Sequence, residues 1–370
     1  MRTTTTTIPA MILMLAATVQ ADVFNLGGTR DPLTGTWTGV ASLEMVPVGD
    51  PGNAADTGAH SGNPAGQGSV AYTYNIGKYE VTAGQYTAFL NAVAVTDTYG
   101  LYNTNMWSDM YGCKIQQTGS SGSYTYSVAS DYANRPVNYV SWADAARFAN
   151  WLQNGQPVGP QNASTTEAGT YALNGATTND QLMAVAAPSA ATRGTWASGT
   201  TAKWLLTSQD EWYKAAYYKG GSTNAGYWNY PTKSNTAPSN VGWDGYADPG
   251  NHANFCTDSG GYTIGSPYYR TNVGEFENSA SAYGTFDQGG NVWEWNDAKI
   301  STYYRGVRGG SFRYYGGGLR AAIQVSDGYP SYESDGFGFR IAEVPEPTAI
   351  ALLALGGLAV LRRRTLTRPG

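Results

Sequence analysis

From Pro231 to Gly290 the chain shows almost no hydrophobic period. Apolar residues there recur neither at the three- and four-residue spacing of a helix nor in the alternation of a strand. Asn154 to Ala202, dominated by Ala, Thr and Gly, reads as a second long loop, and Asp50 to Gly68 as a third. Unstructured connections longer than about 12–15 residues are uncommon in a compact domain unless something fixes them. A simple stack of helices or sheets is therefore excluded, and the expectation is a loop-rich α+β fold, with bound metal ions as one physical means of holding the loops. Disorder would need low hydrophobicity and high charge. Here only 13% of residues are charged, while Gly (47), Tyr (28) and Trp (11) are abundant. No internal repeat or domain break is evident.

Three amphipathic helices punctuate the loops. Thr82 is placed to cap the first, with Tyr86, Phe89, Leu90 and Val93 on its apolar face. Ser141 opens the second, with Asp144 in the capping-box position and Ala145, Phe148, Ala149 and Leu152 facing inward. Ser208 and Glu211 form the capping box of the third, which runs through Trp212, Ala215 and Ala216 and is expected to stop at Gly220-Gly221. Leu43 to Val48 and Tyr72 to Tyr79 read as strands.

The two ends argue for export. Arg2 precedes an apolar run from Ile8 to Val19, and Ala21 ends a small-residue site suited to signal peptidase, so residues 1–21 are expected to be a removable signal peptide. At the other end Val344-Pro345-Glu346-Pro347 precedes an apolar run from Thr348 to Leu361 and then Arg362-Arg363-Arg364. The prolines halt any preceding element, and the arginines would stay on the cytoplasmic side of a membrane. The apolar run falls short of the roughly 20 residues a lasting span needs. Pro345-Glu346-Pro347, the short helix and the arginine cluster resemble the PEP-CTERM sorting signal of Gram-negative bacteria. That resemblance implies a transient inner-membrane hold, cutting by an exosortase, and a final place in the envelope, surface or extracellular matrix. A simple tail anchor is the alternative.

The formal net charge is −5. Arg2, Arg362, Arg363, Arg364 and Arg368 all lie in the removable ends, against one acid, Glu346, so the processed chain is more acidic still. No basic cluster occurs between Asp22 and Glu343, which argues against nucleic acid as a partner. The two cysteines, Cys113 and Cys256, are compatible with a disulfide in an exported protein, but their spacing does not decide it.

The informative block is Tyr283-Gly284-Thr285-Phe286-Asp287-Gln288-Gly289-Gly290-Asn291-Val292-Trp293-Glu294-Trp295, followed by Arg308-Gly309-Gly310-Ser311-Phe312 and Gly336-Phe337-Gly338-Phe339-Arg340. Together with Lys78-Tyr79-Glu80-Val81-Thr82, Pro136-Val137-Asn138-Tyr139-Val140-Ser141-Trp142 and Leu206-Thr207-Ser208-Gln209-Asp210-Glu211-Trp212, it resembles the formylglycine-generating enzyme, or sulfatase-modifying factor, family. The resemblance covers residues 43–342 and leaves 22–42 as a lead-in and 343–370 as the sorting segment. It implies one domain with a C-type-lectin-like core. It also implies calcium at two sites. The first would use the Asp287 and Glu294 carboxylates and the Gly290 and Val292 carbonyls. The second would use Asn254, the Phe255 carbonyl, Asp258 and the Tyr262 carbonyl, on a segment shorter than the family's usual one. A Gly-rich turn can offer the six to eight hard oxygens calcium takes.

The departure from the family is chemical. Active members keep two copper-binding cysteines after the Gly-Gly-Ser motif. The counterparts here are Tyr314 and Leu319, and no cysteine lies between Gly309 and Arg340. Tyrosine and leucine cannot replace thiolates as soft ligands for Cu(I), so no copper is expected. Trp293 and Ser311 keep the family's groove identities, with Arg313 beside them, and would line a ligand groove; the alternative, which the usual behaviour of aromatics in such loops favours, is that Trp293 and Phe312 are simply packed. With only His60 and His252, a three-histidine iron site is excluded. A Ser-His-Asp triad is not excluded by counting but lacks a nucleophile elbow. Glu275, Glu277, Asp287, Glu294 and Asp297 supply carboxylates for glycosidase chemistry, though calcium has the better claim on two of them. The favoured expectation is a non-catalytic surface or matrix protein that binds a glycan or peptide. An oxidative enzyme with altered chemistry and a purely structural matrix component are the alternatives.

Overall fold

The computed structural model describes residues 23–345, apart from 25, 27, 32–36, 40, 41, 59–63, 200, 201, 242–247 and 325–327. The expected signal peptide with Ala21, and Glu346, Pro347 and the apolar tail, lie outside the described residues. Among those described, no helix is long and apolar enough to cross a membrane.

The principal sheet has five strands in the order β1 (Val23–Phe24), β4 (Leu43–Val48), β5 (Tyr74–Gly77), β12 (Ile341–Val344) and β8 (Lys203–Leu206). Every pairing in it is antiparallel. β12 lies between β5 and the edge strand β8, with Ala342 opposite Ile76 on one side and Leu205 on the other. A three-stranded sheet sets β9 (Trp293–Lys299) between β10 (Arg305–Arg308) and β11 (Phe337–Phe339). Hairpins β2 (Thr29–Arg30)–β3 (Trp37–Thr38) and β6 (Ile115–Thr118)–β7 (Thr125–Val128) complete the strands.

The three expected helices form where their caps place them. Thr82 and Gln85 close a capping box on α1 (Ala83–Val93), as do Ser141 and Asp144 on α3 (Trp142–Gln153), and α2 (Asn105–Ser108) is a single turn between them. Ser208 and Glu211 cap α6 (Gln209–Tyr217). That helix ends before Gly220-Gly221 because Tyr218 turns extended and bridges Tyr227. The strand expected from Tyr72 is shorter, Tyr74 to Gly77. The loop expected from Asn154 to Ala202 contains α4 (Asn179–Ala184) and α5 (Ala190–Trp196), opened by Thr178 and Ser189 caps. Helices this short fill too few turns to leave a hydrophobic period.

The core lies between α1, α3 and the sheets. Tyr86, Phe89, Phe148 and Phe339 are fully buried, with ring centroids 5.2–6.4 Å apart. Each such side chain contributes about 1.5–3 kcal/mol by leaving water.

The long loops are held by buried arginines. Arg305 donates to the carbonyls of Asp297 (2.9 Å), Leu182 (2.8 Å) and Val185 (2.7 Å) while its guanidinium lies 3.8 Å from the centre of the Trp142 ring. Arg308 donates to the carbonyls of Ala321 and Ile323. Arg147 grips Glu167 in two bonds and the Ala176 carbonyl in a third. Arg193 joins Glu211, Asp297 and the Leu206 carbonyl. Buried loop carbonyls must find donors, and the five-donor arginine fork reaches several segments at once.

Candidate functional site

Arg340, between β11 and β12, reaches into the block that precedes β9. Its Nε and Nη2 donate to Glu294 at 2.5 and 2.6 Å, and the remaining donors reach the Gly77 and Phe286 carbonyls. Trp212 Nε1 gives Glu294 a third donor at 2.7 Å. Asp287, two turns of chain earlier, sits at φ 59° and accepts from the Gly274 amide at 2.6 Å. Burial pushes its carboxyl up to about 6, against the pull of the Gly274 amide and Arg340.

Glu80 completes this group and was not among the residues the sequence singled out. It is 1% exposed, and its carboxylate oxygens find no well-formed hydrogen bond, with only the Val292 backbone close enough to ease the charge. Burial, then Asp287, then Glu294 push its carboxyl well above the ordinary range, with Arg340 opposing them. Three carboxyl groups thus face one guanidinium in a closed interior. Spacing alone gave no signal for it, because in extended chain an acid between Tyr79 and Val81 is set on the face opposite to theirs.

The rest of the first expected ligand set is near by. Gly290 (φ 99°) bends the chain against Asn254, whose carbonyl oxygen a Cβ would strike. The Asn291 amide donates to that same carbonyl. Val292 is fully buried and leads into β9. Among the described residues no three His, Cys, Asp or Glu side chains converge closely enough to form a metal site by themselves. An ion here would need main-chain oxygens as well.

The second expected set is local, but several of its groups are committed to other bonds or face solvent. Asn254 is buried, donates to the Tyr269 carbonyl and to Asn291 Oδ1, and keeps an unpartnered Oδ1 of its own. The Phe255 carbonyl already accepts from Asn240 and Thr263. Asp258 is exposed at a turn closed by Thr257 and Gly261, and Tyr262 pairs across Cys256 with its side chain at the surface.

The expected groove residues do not share a groove. Trp293 is 1% exposed and its Nε1 lacks a partner, and Ser311 is fully buried, 3.1 Å from where a Cβ on Gly336 would stand. Tyr314 covers Trp293 edge-on, with ring centroids 5.2 Å apart. Leu319 packs with Tyr230, Ala253 and Phe255. Of the three residues only Arg313 reaches solvent, ion-paired to Asp335 above the Tyr111 ring.

Among the described residues the other chemistries find no assembly. The Ser279 hydroxyl donates to Asp248 at 3.1 Å, and Asp248 is 3.2 Å from His252 Nδ1. The serine is thus bonded to the acid rather than to the imidazole, the reverse of a nucleophilic triad. Asp297 is bound by Arg193, and Glu275 and Glu277 are exposed. Cys113 and Cys256 are both free thiols, and burial raises the pKa of each.

A profile of the sulfatase-modifying factor enzyme 1-like domain matches residues 39–344. The chain belongs to this family. The sulfatase-modifying-factor domain thus takes in β4 through β12, two residues past the boundary expected at 342. A second profile, the PEP-CTERM protein-sorting motif, matches residues 343–364 and implies export, membrane anchoring and exosortase processing. Solved structures similar to the chain include Treponema denticola variable protein 1 (17% identity, TM-score 0.49, covering 88% of this chain and 99% of that one). CarF is 20% identical, with a TM-score of 0.48, over 81% of this chain and 97% of its own. PvdO from Pseudomonas aeruginosa is 20% identical, with a TM-score of 0.45, over 82% and 94%. No curated protein matches the chain. The loop-rich α+β architecture expected of the family is the one observed.

Proposed function

We propose that this sulfatase-modifying-factor domain is a non-catalytic ligand-binding module, delivered by its sorting signal to the cell surface or extracellular matrix. The observation that carries this reading is the pair Tyr314 and Leu319. At the positions where the family resemblance sets copper thiolates, one side chain roofs Trp293 and the other is locked in an apolar cluster. Neither offers a soft ligand for Cu(I), and both free cysteines lie elsewhere in the sequence.

The reading includes calcium as a structural ion. With all three ionised, Glu80, Asp287 and Glu294 would set three negative charges against the single positive charge of Arg340; the raised carboxyls of Glu80 and Asp287 reflect that conflict, which either protons or a divalent cation would relieve. The orphaned Glu80 oxygens are hard donors, as are the Asp287 carboxylate and the Gly290 and Val292 carbonyls, a set suited to calcium. Such an ion would supply charge neutralisation and fix the loop, with Glu294 held in place by Arg340 and Trp212. The deciding experiment incubates the purified protein with a sulfatase-motif cysteine peptide, copper and oxygen. The peptide thiol is expected to persist by mass spectrometry. Copper-dependent conversion to formylglycine would replace this reading with an enzymatic one.

A further inference from the structure

One open cleft does not include the buried Trp293 or Ser311 among its lining residues. It has a volume of about 570 Å³ and is lined by residues around Tyr262 and Tyr268. That volume is in the range of small-molecule and oligosaccharide sites. None of the side chains lining it is charged. They are two tyrosines, the hydroxyls of Thr257, Thr263 and Ser266, the amide of Asn240, and aliphatic and glycine residues.

The walls are held before any ligand arrives. The Thr263 hydroxyl accepts from the Phe255 amide and donates to the Phe255 carbonyl, and Asn240 Nδ2 bonds the Phe255 and Gly261 carbonyls. The Tyr268 ring has the Arg135 guanidinium 4.0 Å from its centre, and its hydroxyl donates to Asp131. Tyr262 meets Tyr269 edge-on at 5.2 Å and is 36% exposed. Cys256, next to Thr257 of the lining, is bridged to Tyr262 on one side and to Tyr315 on the other, which fixes the backbone behind the cleft. A preformed wall lowers the ordering cost of binding.

We infer that this cleft binds a neutral oligosaccharide chain. The inference rests on the ligand-binding reading above and gives that reading a place and a chemistry. Tyrosine presents an apolar face and a wet hydroxyl, which match the C–H face and hydroxyl rim of a sugar ring. An anionic polymer would find no cation in the cleft and would approach an acidic protein. A peptide adding itself as a strand needs an unpaired edge, and the strand-like segment at Cys256 is bridged on both sides.

The test is affinity electrophoresis of the full chain in detergent, through gels containing dextran, laminarin, hydroxyethylcellulose or alginate, with a random peptide array alongside. Retardation by at least one neutral polysaccharide is expected, weakened about tenfold or more in Tyr262→Ala and Tyr268→Ala. It should be retained in Tyr262→Phe and in Tyr303→Ala, a control at an exposed tyrosine elsewhere. Neutral-glycan binding insensitive to both alanine variants would overturn the assignment of the cleft. Binding confined to alginate or to peptides would overturn the neutral-oligosaccharide assignment while leaving the ligand-binding reading in place. Silence toward every probe would overturn both.

Discussion

Arg340 and Glu294 bind each other through two parallel bonds, 2.5 and 2.6 Å long, with both side chains fully buried. The pair ties the last motif of the domain to the start of β9, and Arg340 also holds the Gly77 end of the principal sheet. Removing one partner of a buried ion pair strands the other charge, at a cost of about 3–5 kcal/mol. Arg340→Met should therefore lower unfolding stability by that amount in urea titrations. A loss below about 1 kcal/mol would mean that the interaction is dispensable.

Metal should act on the same cluster with an unusual sign pattern. Calcium is expected to raise the melting temperature, and EDTA to reverse the rise. At a hundredfold excess over Kd the stabilisation is about 2.7 kcal/mol. Glu80→Gln should raise the melting temperature of the calcium-free protein, because it removes an unpaired buried carboxylate, and at the same time shrink the calcium-induced rise. Asp287→Ala should shrink it too. Melting curves indifferent to both calcium and EDTA would dismiss the ion.

Stability should also fall with alkalinity. Glu333 accepts from Asn103 and lies beside Asp144, on the loop whose Pro330 carbonyl accepts from the Ala143 amide. Burial, then Asp144, raise the Glu333 carboxyl to about 8, and burial raises Asp144 to about 6. The folded state therefore holds protons that the unfolded chain has already released, so stability declines as pH rises from about 4 to about 8. Glu333→Gln should flatten that decline and raise the melting temperature at pH 8 more than at pH 5. Equal effects at both pH values would count against the shared proton.

The sorting signal makes its own forecast. Replacing Pro345-Glu346-Pro347 with alanines should leave an uncut precursor in the inner membrane, whereas the native protein should reach the envelope or medium without its apolar tail. Intact mass spectrometry decides it, because a wild-type protein still ending at Gly370 would point to a permanent anchor.

Local chemistry made the helices legible. Thr82, Ser141 and Ser208 announce their caps within four residues, and the apolar faces of α1 and α3 repeat at helical spacing. The ordered motifs were equally legible as a family. What the sequence did not disclose was the means of fixing the loops, because each relevant arginine meets carbonyls far from it in the chain, as Arg305 does with Leu182 and Val185. The site was half legible for the same reason. Asp287 and Glu294 share one motif, but Glu80 joins them only through the fold, and the closing of Trp293 beneath Tyr314 depends on a ring position that no spacing rule supplies.

The position of β12 sets an order of events. This strand joins β5 to β8, so until Ile341–Val344 has emerged on the far side of the membrane those two strands have no common partner. Export from the amino end would thus deliver nearly the whole domain before its principal sheet can close. The sorting motif begins at residue 343, inside that closing strand. Extended chain advances only about 3.4 Å per residue, so a finished domain still tethered by its tail would rest directly against the lipid headgroups. Release from the membrane and completion of the fold would then be neighbouring events, set only a few residues apart in the chain.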